Sequence, residues 1–141
     1  MKKRMFQKTV AIGLCMSLFF CQPAFGALNG SQKDIYGPTG YLGTAAKQYD
    51  TKTYSASTNA PTDQNGRHRY GAHVNAHVYL FNTDTRRRET KDYSNTRGAN
   101  STVLTKVSGD VTKNFGTTYR IEACSSSHYV VKDGKKYSIS L

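Results

Sequence analysis

The stretch GAHVNAHVYLF, Gly71–Phe81, decides how this chain is read, because it sets two histidines four residues apart in an alternating run. Val74, Ala76, Val78 and Leu80 alternate with His73, Asn75, His77 and Tyr79. That is the period of a strand with one apolar face. A helical stripe of Val74, Val78 and Phe81 competes with it. Valine and tyrosine favour strands, however, and Asn82-Thr83-Asp84-Thr85 reads as a turn directly afterwards. On a strand, residues four apart lie on one face but about 13 Å from each other. A single zinc ion with ligand bonds near 2 Å cannot reach both rings. The pair would chelate only on a helix, and Val74 stands where a metalloprotease helix carries glutamate. The histidines therefore read as the wet side of a strand. The expectation is no metal and no cofactor, and nothing in the sequence joins either ring to His68 or His128.

Similar elements extend from this strand toward the C-terminus. SHYVVKDGKKYSISL, Ser127–Leu141, flanks Asp133-Gly134 with two strand-like runs, a strong signal for a two-residue type I′ hairpin. Such a turn places Val131 opposite Lys136 and Val130 opposite Tyr137. Arg86–Tyr93 reads as a polar edge strand and Ser101–Val107 as a further strand. Thr117–Ser125 puts Tyr119, Ile121 and Ala123 on one face and Arg120, Glu122 and Cys124 on the other. Loops are expected at Ser94–Asn100 and Ser108–Gly116, and no helix is expected outside the N-terminal segment. Short strands with regular turns imply an all-β fold, a small antiparallel β-sandwich or barrel.

Toward the N-terminus the composition changes. Ser31–Tyr70 holds Ile35 and Leu42 as its only large aliphatics, with Pro38 and Pro61 among small polar residues. Residues 27–70 are expected to be a Tyr- and Gly-containing, loop-rich segment with one short strand near Thr53–Ser57. The antiparallel domain is then residues 71–141. Residues 1–26 have the layout of a secretory signal peptide: Lys2, Lys3, Arg4 and Lys8, an apolar run from Val10 to Phe20, then Ala24-Phe25-Gly26. Cleavage is expected near Gly26, giving a secreted bacterial protein. An uncleaved anchor and a lipoprotein at Cys21 are the rival readings, the latter opposed by Phe19-Phe20 just before that cysteine.

The whole chain carries 20 Lys and Arg against 9 Asp and Glu, a net charge of +11. Four of those cations and none of the acids lie in the leader, so the exported chain keeps sixteen cations and a charge of +7. Such a surplus favours polyanions: an anionic cell-wall polymer, a membrane surface or an acidic protein. Without a helix for a major groove or a recognisable aromatic sheet motif, nothing marks nucleic acid as the partner. Cys15 and Cys21 also leave with the leader, which excludes an internal disulfide and leaves Cys124 either buried or available for pairing between chains.

Catalytic residues are not evident. Cys124 and His128 could make a thiol nucleophile and its base only if the chain bent sharply at Ser125-Ser126-Ser127. No Gly-x-Ser-x-Gly elbow occurs, and Glu89 and Glu122 are the only glutamates. The expectation is a non-enzymatic binding protein. A small secreted hydrolase or a protein inhibitor is the less favoured reading. Candidate binding residues are the basic and aromatic ones that would ring one end of a sandwich: Arg67, Arg69, Tyr70, Lys132, Lys135, Lys136 and Tyr137.

Ala76-His77-Val78-Tyr79-Leu80-Phe81-Asn82, Val107-Ser108-Gly109, Thr118-Tyr119-Arg120 and Ser127-His128 are spaced in a way that resembles the lactococcin-type bacteriocins, small exported β-sandwich proteins of Gram-positive bacteria. The resemblance covers Gly71–Leu141. It implies a two-sheet sandwich, secretion, no cofactor and antibacterial action at a neighbour's envelope. The Tyr-rich segment Ser31–Tyr70 and the absence of tryptophan depart from that pattern.

Overall fold

The computed structural model describes residues 28–141; the expected signal peptide and its expected cleavage point near Gly26 lie outside the described residues. Strands β1 (Asn29–Gly37), β2 (Gly40–Tyr49) and β3 (Thr53–Asn59) precede β4 (Gly71–Asn82) and β5 (Arg88–Arg97). Then come β6 (Thr105–Asp110), a one-turn helix α1 (Val111–Phe115), β7 (Tyr119–Lys132) and β8 (Lys135–Ser140). The strands form two antiparallel sheets of four, in the orders β1-β2-β3-β6 and β5-β4-β7-β8. Their apolar faces pack together, with β2 against β7 and β3 against β4. The all-β expectation is met, and no helix of the described residues is long and apolar enough to cross a membrane.

β4 follows its alternation: Ala72, Val74, Ala76, Val78 and Leu80 are buried, and His73, Asn75 and His77 lie on the outer face. The β7–β8 hairpin also forms as read, with Val131 opposite Lys136 and Val130 opposite Tyr137. Asp133 (φ 51°) and Gly134 (φ 73°) are both left-handed, as a type I′ turn requires.

Several expectations are corrected. The segment 27–70 is not loop-rich. It supplies three of the four strands of one sheet, and β3 pairs with β6, so the boundary near Gly71 is one of composition and not of fold. Few aliphatics are needed because the two sheets approach closely there. A Cβ on Gly43 would lie 3.2 Å from Val130 Cγ2 of the facing sheet, and 2.7 Å from the Asn59 carbonyl oxygen of the adjacent strand β3. Ile35, Leu42, Ala45 and Ala60 cluster there with Val130, and Tyr70, Tyr137, Ile139 and Leu141 pack around them. The expected loops are shorter: β5 runs on to Arg97, β6 runs to Asp110, and α1 follows at once. That helix exists because Asp110 caps it, its carboxylate accepting from Thr112 N (2.9 Å) and Lys113 N (3.2 Å).

β7 also differs from its expected form. It is one continuous strand of 14 residues, without a bend at Ser125–Ser127. Tyr79 faces Ala123 while Leu80 faces Ile121, so Glu122 is an inserted residue and makes a β-bulge. The insertion resets the parity. Ile121 and Cys124, expected on opposite faces, are both buried. Beyond the bulge, Cys124, Ser126, His128 and Val130 all face inward.

The core has two apolar clusters. One gathers Tyr54, Val74, Val78, Leu80, Val111, Ile121 and Cys124, and the other Ile35, Leu42, Ala45, Ala60 and Val130. A buried polar group accompanies them. Thr58 on β3 donates its hydroxyl hydrogen to the His73 carbonyl (2.6 Å). Its oxygen is therefore left to accept from His128 Nδ1 at 2.9 Å. The imidazole then carries its proton on Nδ1, and Nε2 accepts from the Ser126 hydroxyl at 2.7 Å. Each buried polar atom of the trio has a partner, as low-dielectric surroundings demand.

Candidate anion-binding site

One end of the two sheets collects the β1–β2 turn, the β3–β4 loop, the β5–β6 loop and the β7–β8 turn. Antiparallel strand directions dictate this grouping. Arg67 and Arg69 lie exposed in the β3–β4 loop, Arg97 closes β5, and Lys132, Lys135 and Lys136 surround the last hairpin turn. The β3–β4 and β5–β6 loops are tied together, Asn100 N donating to the His68 carbonyl (2.7 Å) and His68 N to that of Ser101 (2.8 Å). The β1–β2 and β7–β8 turns are tied by Lys132 Nζ, which donates to Thr39 Oγ1 and lies 5.9 Å from the Tyr70 ring centre.

The residues read from the sequence as one binding rim separate into distinct positions. Lys132 and Tyr70 come together at the turn pair. Lys136 lies over the outer face of the second sheet, 4.7 Å from the Tyr129 ring centre, and Tyr129 stacks on His73 at 4.6 Å. Burial, and then that ammonium, hold the His73 pKa below its usual value. Lys135 sits beside the turn, exposed. Tyr137 does not share the exposed rim: its ring packs against the cluster of Ile35, Leu42 and Val130. Partners across an antiparallel pair share a face, so an inward Val130 turns Tyr137 inward. Arg86 and Arg87 precede β5 in its connecting turn, and Arg88 begins the strand, pairing with Glu122 through two hydrogen bonds of 2.8 and 3.0 Å.

Opposing charge is occupied elsewhere. Asp50 accepts from the backbone N–H groups of Lys52 and Thr53, and Asp63 from those of Asn65 and Arg67. The Arg67 N–H is the main reason the Asp63 carboxyl sits below its ordinary pKa. Asp110 is held down by the Thr112 hydroxyl first and by the backbone N–H groups it caps. Asp92 is bound to His77, Glu89 to Lys91, and Glu122 to Arg88. Of the sixteen lysines and arginines among the described residues, only Arg88 and Lys91 lie within ion-pair distance of a carboxylate. The six cations of the loop end are not among those pairs.

The other candidate chemistries resolve geometrically. His73 Nδ1 lies 2.7 Å from the Thr96 hydroxyl and His77 Nδ1 2.5 Å from Asp92, each ring engaged with β5. No group of three or more metal-ligating side chains gathers among the described residues. Cys124 and His128 share a face of one extended strand four residues apart, and the imidazole is engaged with Thr58 and Ser126. A trough of about 790 Å³ runs across the outer face of the first sheet. Gln32, Gln48, Ser55, Ser57 and Ser108 line it, with Lys106 at its side. Its lining is mainly polar and includes Lys47, Lys106 and Lys113 against Asp110.

Compared with protein-family models, curated proteins and solved structures, the chain matches none.

Proposed function

We propose that the chain is exported and binds an anionic partner at a bacterial cell envelope, acting by binding and not by catalysis. The observation that carries this reading is the division of labour among the charged groups. Six of the nine carboxylates are engaged in turns, a helix cap and three pairs on the second sheet, while the six loop-end cations, like eight others, have no carboxylate partner among the described residues. Phosphate or carboxylate groups of a partner can meet those cations without first displacing an internal ion pair. Export is supported by the basic, apolar and small-residue order of residues 1–26.

The test is binding of Ala27–Leu141, which includes every described strand, to isolated bacterial cell walls and to vesicles across a salt series. Binding that weakens steadily as salt rises supports the proposal, because exposed charges are screened over about 10 Å at 0.1 M. Retention independent of salt, or no binding to any anionic envelope component, rejects it.

A further inference from the structure

The loop end carries exposed apolar side chains as well as cations. Tyr36 and Tyr41 flank the β1–β2 turn and are 62% and 46% exposed. Their ring centres lie 6.0 Å apart, edge to face, so the two rings make one outward cluster. Tyr41 shares a 2.6 Å hydrogen bond with Thr44 further back on the hairpin, which turns its hydroxyl away from the turn. Val103 and Leu104 stand in the β5–β6 loop at the same end, 52% and 40% exposed. Four of the six large apolar side chains exposed among the described residues are thus at this one end, two in a loop and two in the strands beside a turn. The same end holds Arg67, Arg69, Arg97, Lys132, Lys135 and Lys136, against Asp63, engaged with its own loop, Asp133 in the turn, and Asp34 further back on β1, which accepts from the Thr44 hydroxyl (3.0 Å) and the Tyr36 hydroxyl (3.5 Å).

Apolar tips set among unpaired cations match one kind of surface better than the others. A soluble anionic polymer would use the cations and leave Val103 and Leu104 in water. An anionic bilayer uses both, with phosphates at the ammonium and guanidinium groups and the apolar tips among the upper acyl chains. Tyrosine suits that depth because it presents an apolar ring and a polar end.

We infer that the loop end docks on an anionic phospholipid surface, with Tyr36, Tyr41, Val103 and Leu104 entering the interface. This rests on the proposed envelope binding and names its partner. The β1–β2 hairpin is suited to the role, since Lys132 of the neighbouring turn holds Thr39 between the two tyrosines.

The experiment is co-sedimentation of Ala27–Leu141 with phosphatidylglycerol vesicles, with phosphatidylcholine vesicles, and with wall fragments carrying a polyol-phosphate polymer. The expected result is strong binding to phosphatidylglycerol, with a fraction retained at about 0.5 M salt, where charge attraction is largely screened. Tyr36→Ser with Tyr41→Ser should lower partition at least about tenfold and abolish the retained fraction. Tyr36→Phe with Tyr41→Phe should preserve it. Lys135→Gln should cost about fivefold at low salt and little at high salt. Thermal unfolding of each variant establishes that the fold is kept. Binding to the wall polymer without binding to vesicles overturns the bilayer and leaves the proposed function standing. Binding to neither overturns both. Vesicle binding unchanged by the serine replacements also overturns the inference, since charge alone would then account for it.

Discussion

Acidification should destabilise this protein well above the pH range of carboxylate titration, and His128 should be the cause. The imidazole is 1% exposed, and burial lowers its pKa from 6.5 to about 4, with His73 and Lys47 adding to the effect. In the unfolded chain the ring regains the ordinary value. Between those values the unfolded state binds a proton that the folded state refuses, so stability is complete above about pH 6.5 and is lost as pH falls toward 4. From about pH 7 to about pH 5 the linkage amounts to about 2 kcal/mol. A second barrier acts in the same direction. Nε2 accepts from Ser126, so a proton there requires that hydroxyl to turn around. The assay is urea unfolding across the pH series for the wild type and for His128→Asn, which cannot titrate. His128→Asn should be less stable at neutral pH, because it disturbs the bonds to Thr58 and Ser126, yet should lose less stability than the wild type from about pH 7 to about pH 5. His73, whose pKa is also lowered, remains in both proteins, so the His128 contribution is read from the difference between the two profiles. Parallel pH profiles for the two proteins would refute the assignment.

Three further outcomes follow from packing and capping. Gly43→Ala should destabilise by about 1–3 kcal/mol in chemical unfolding, since the added methyl meets the backbone oxygen of Asn59 at 2.7 Å. Asp110→Ala removes the cap of α1 and should cost about 1 kcal/mol by the same assay. Cys124 is 4% exposed and burial raises its thiol pKa, so alkylation at neutral pH should be slow in native protein and fast in urea. Non-reducing electrophoresis should accordingly show no chain-to-chain disulfide, which closes the alternative that its sequence left open.

Legibility in the sequence followed the length and purity of the alternation. β4 could be read because its two faces differ without exception over Ala72–Leu80, and β8 because Asp133-Gly134 fixes its register. β1 and β2 were hidden for a physical reason. Their inner faces use Ile35, Leu42 and Ala45, and much of β1 is exposed, so no apolar run announces them. The Gly37-Pro38-Thr39-Gly40 turn between Tyr36 and Tyr41 was the available signal for that hairpin. The bulge at Glu122 leaves no mark in composition, yet it changes which side of the strand Cys124 takes. At the candidate site the cations were visible as residues, and the register relation that turns Tyr137 inward was implicit in its pairing with Val130. The exposed tips Val103 and Leu104 became interpretable only once the hydrogen bonds from Asn100 and His68 joined their loop to the cationic one.

The most direct measurement of the central claim is the salt dependence of binding to isolated envelope material, compared between the wild type and Arg67→Gln/Arg69→Gln/Lys135→Gln. All three side chains are exposed in the loop end and pair with no carboxylate among the described residues. The account predicts that affinity falls as salt rises, and that the triple variant binds more weakly at low salt with a shallower salt dependence. Wild type and variant binding equally, with the same salt dependence, would contradict it.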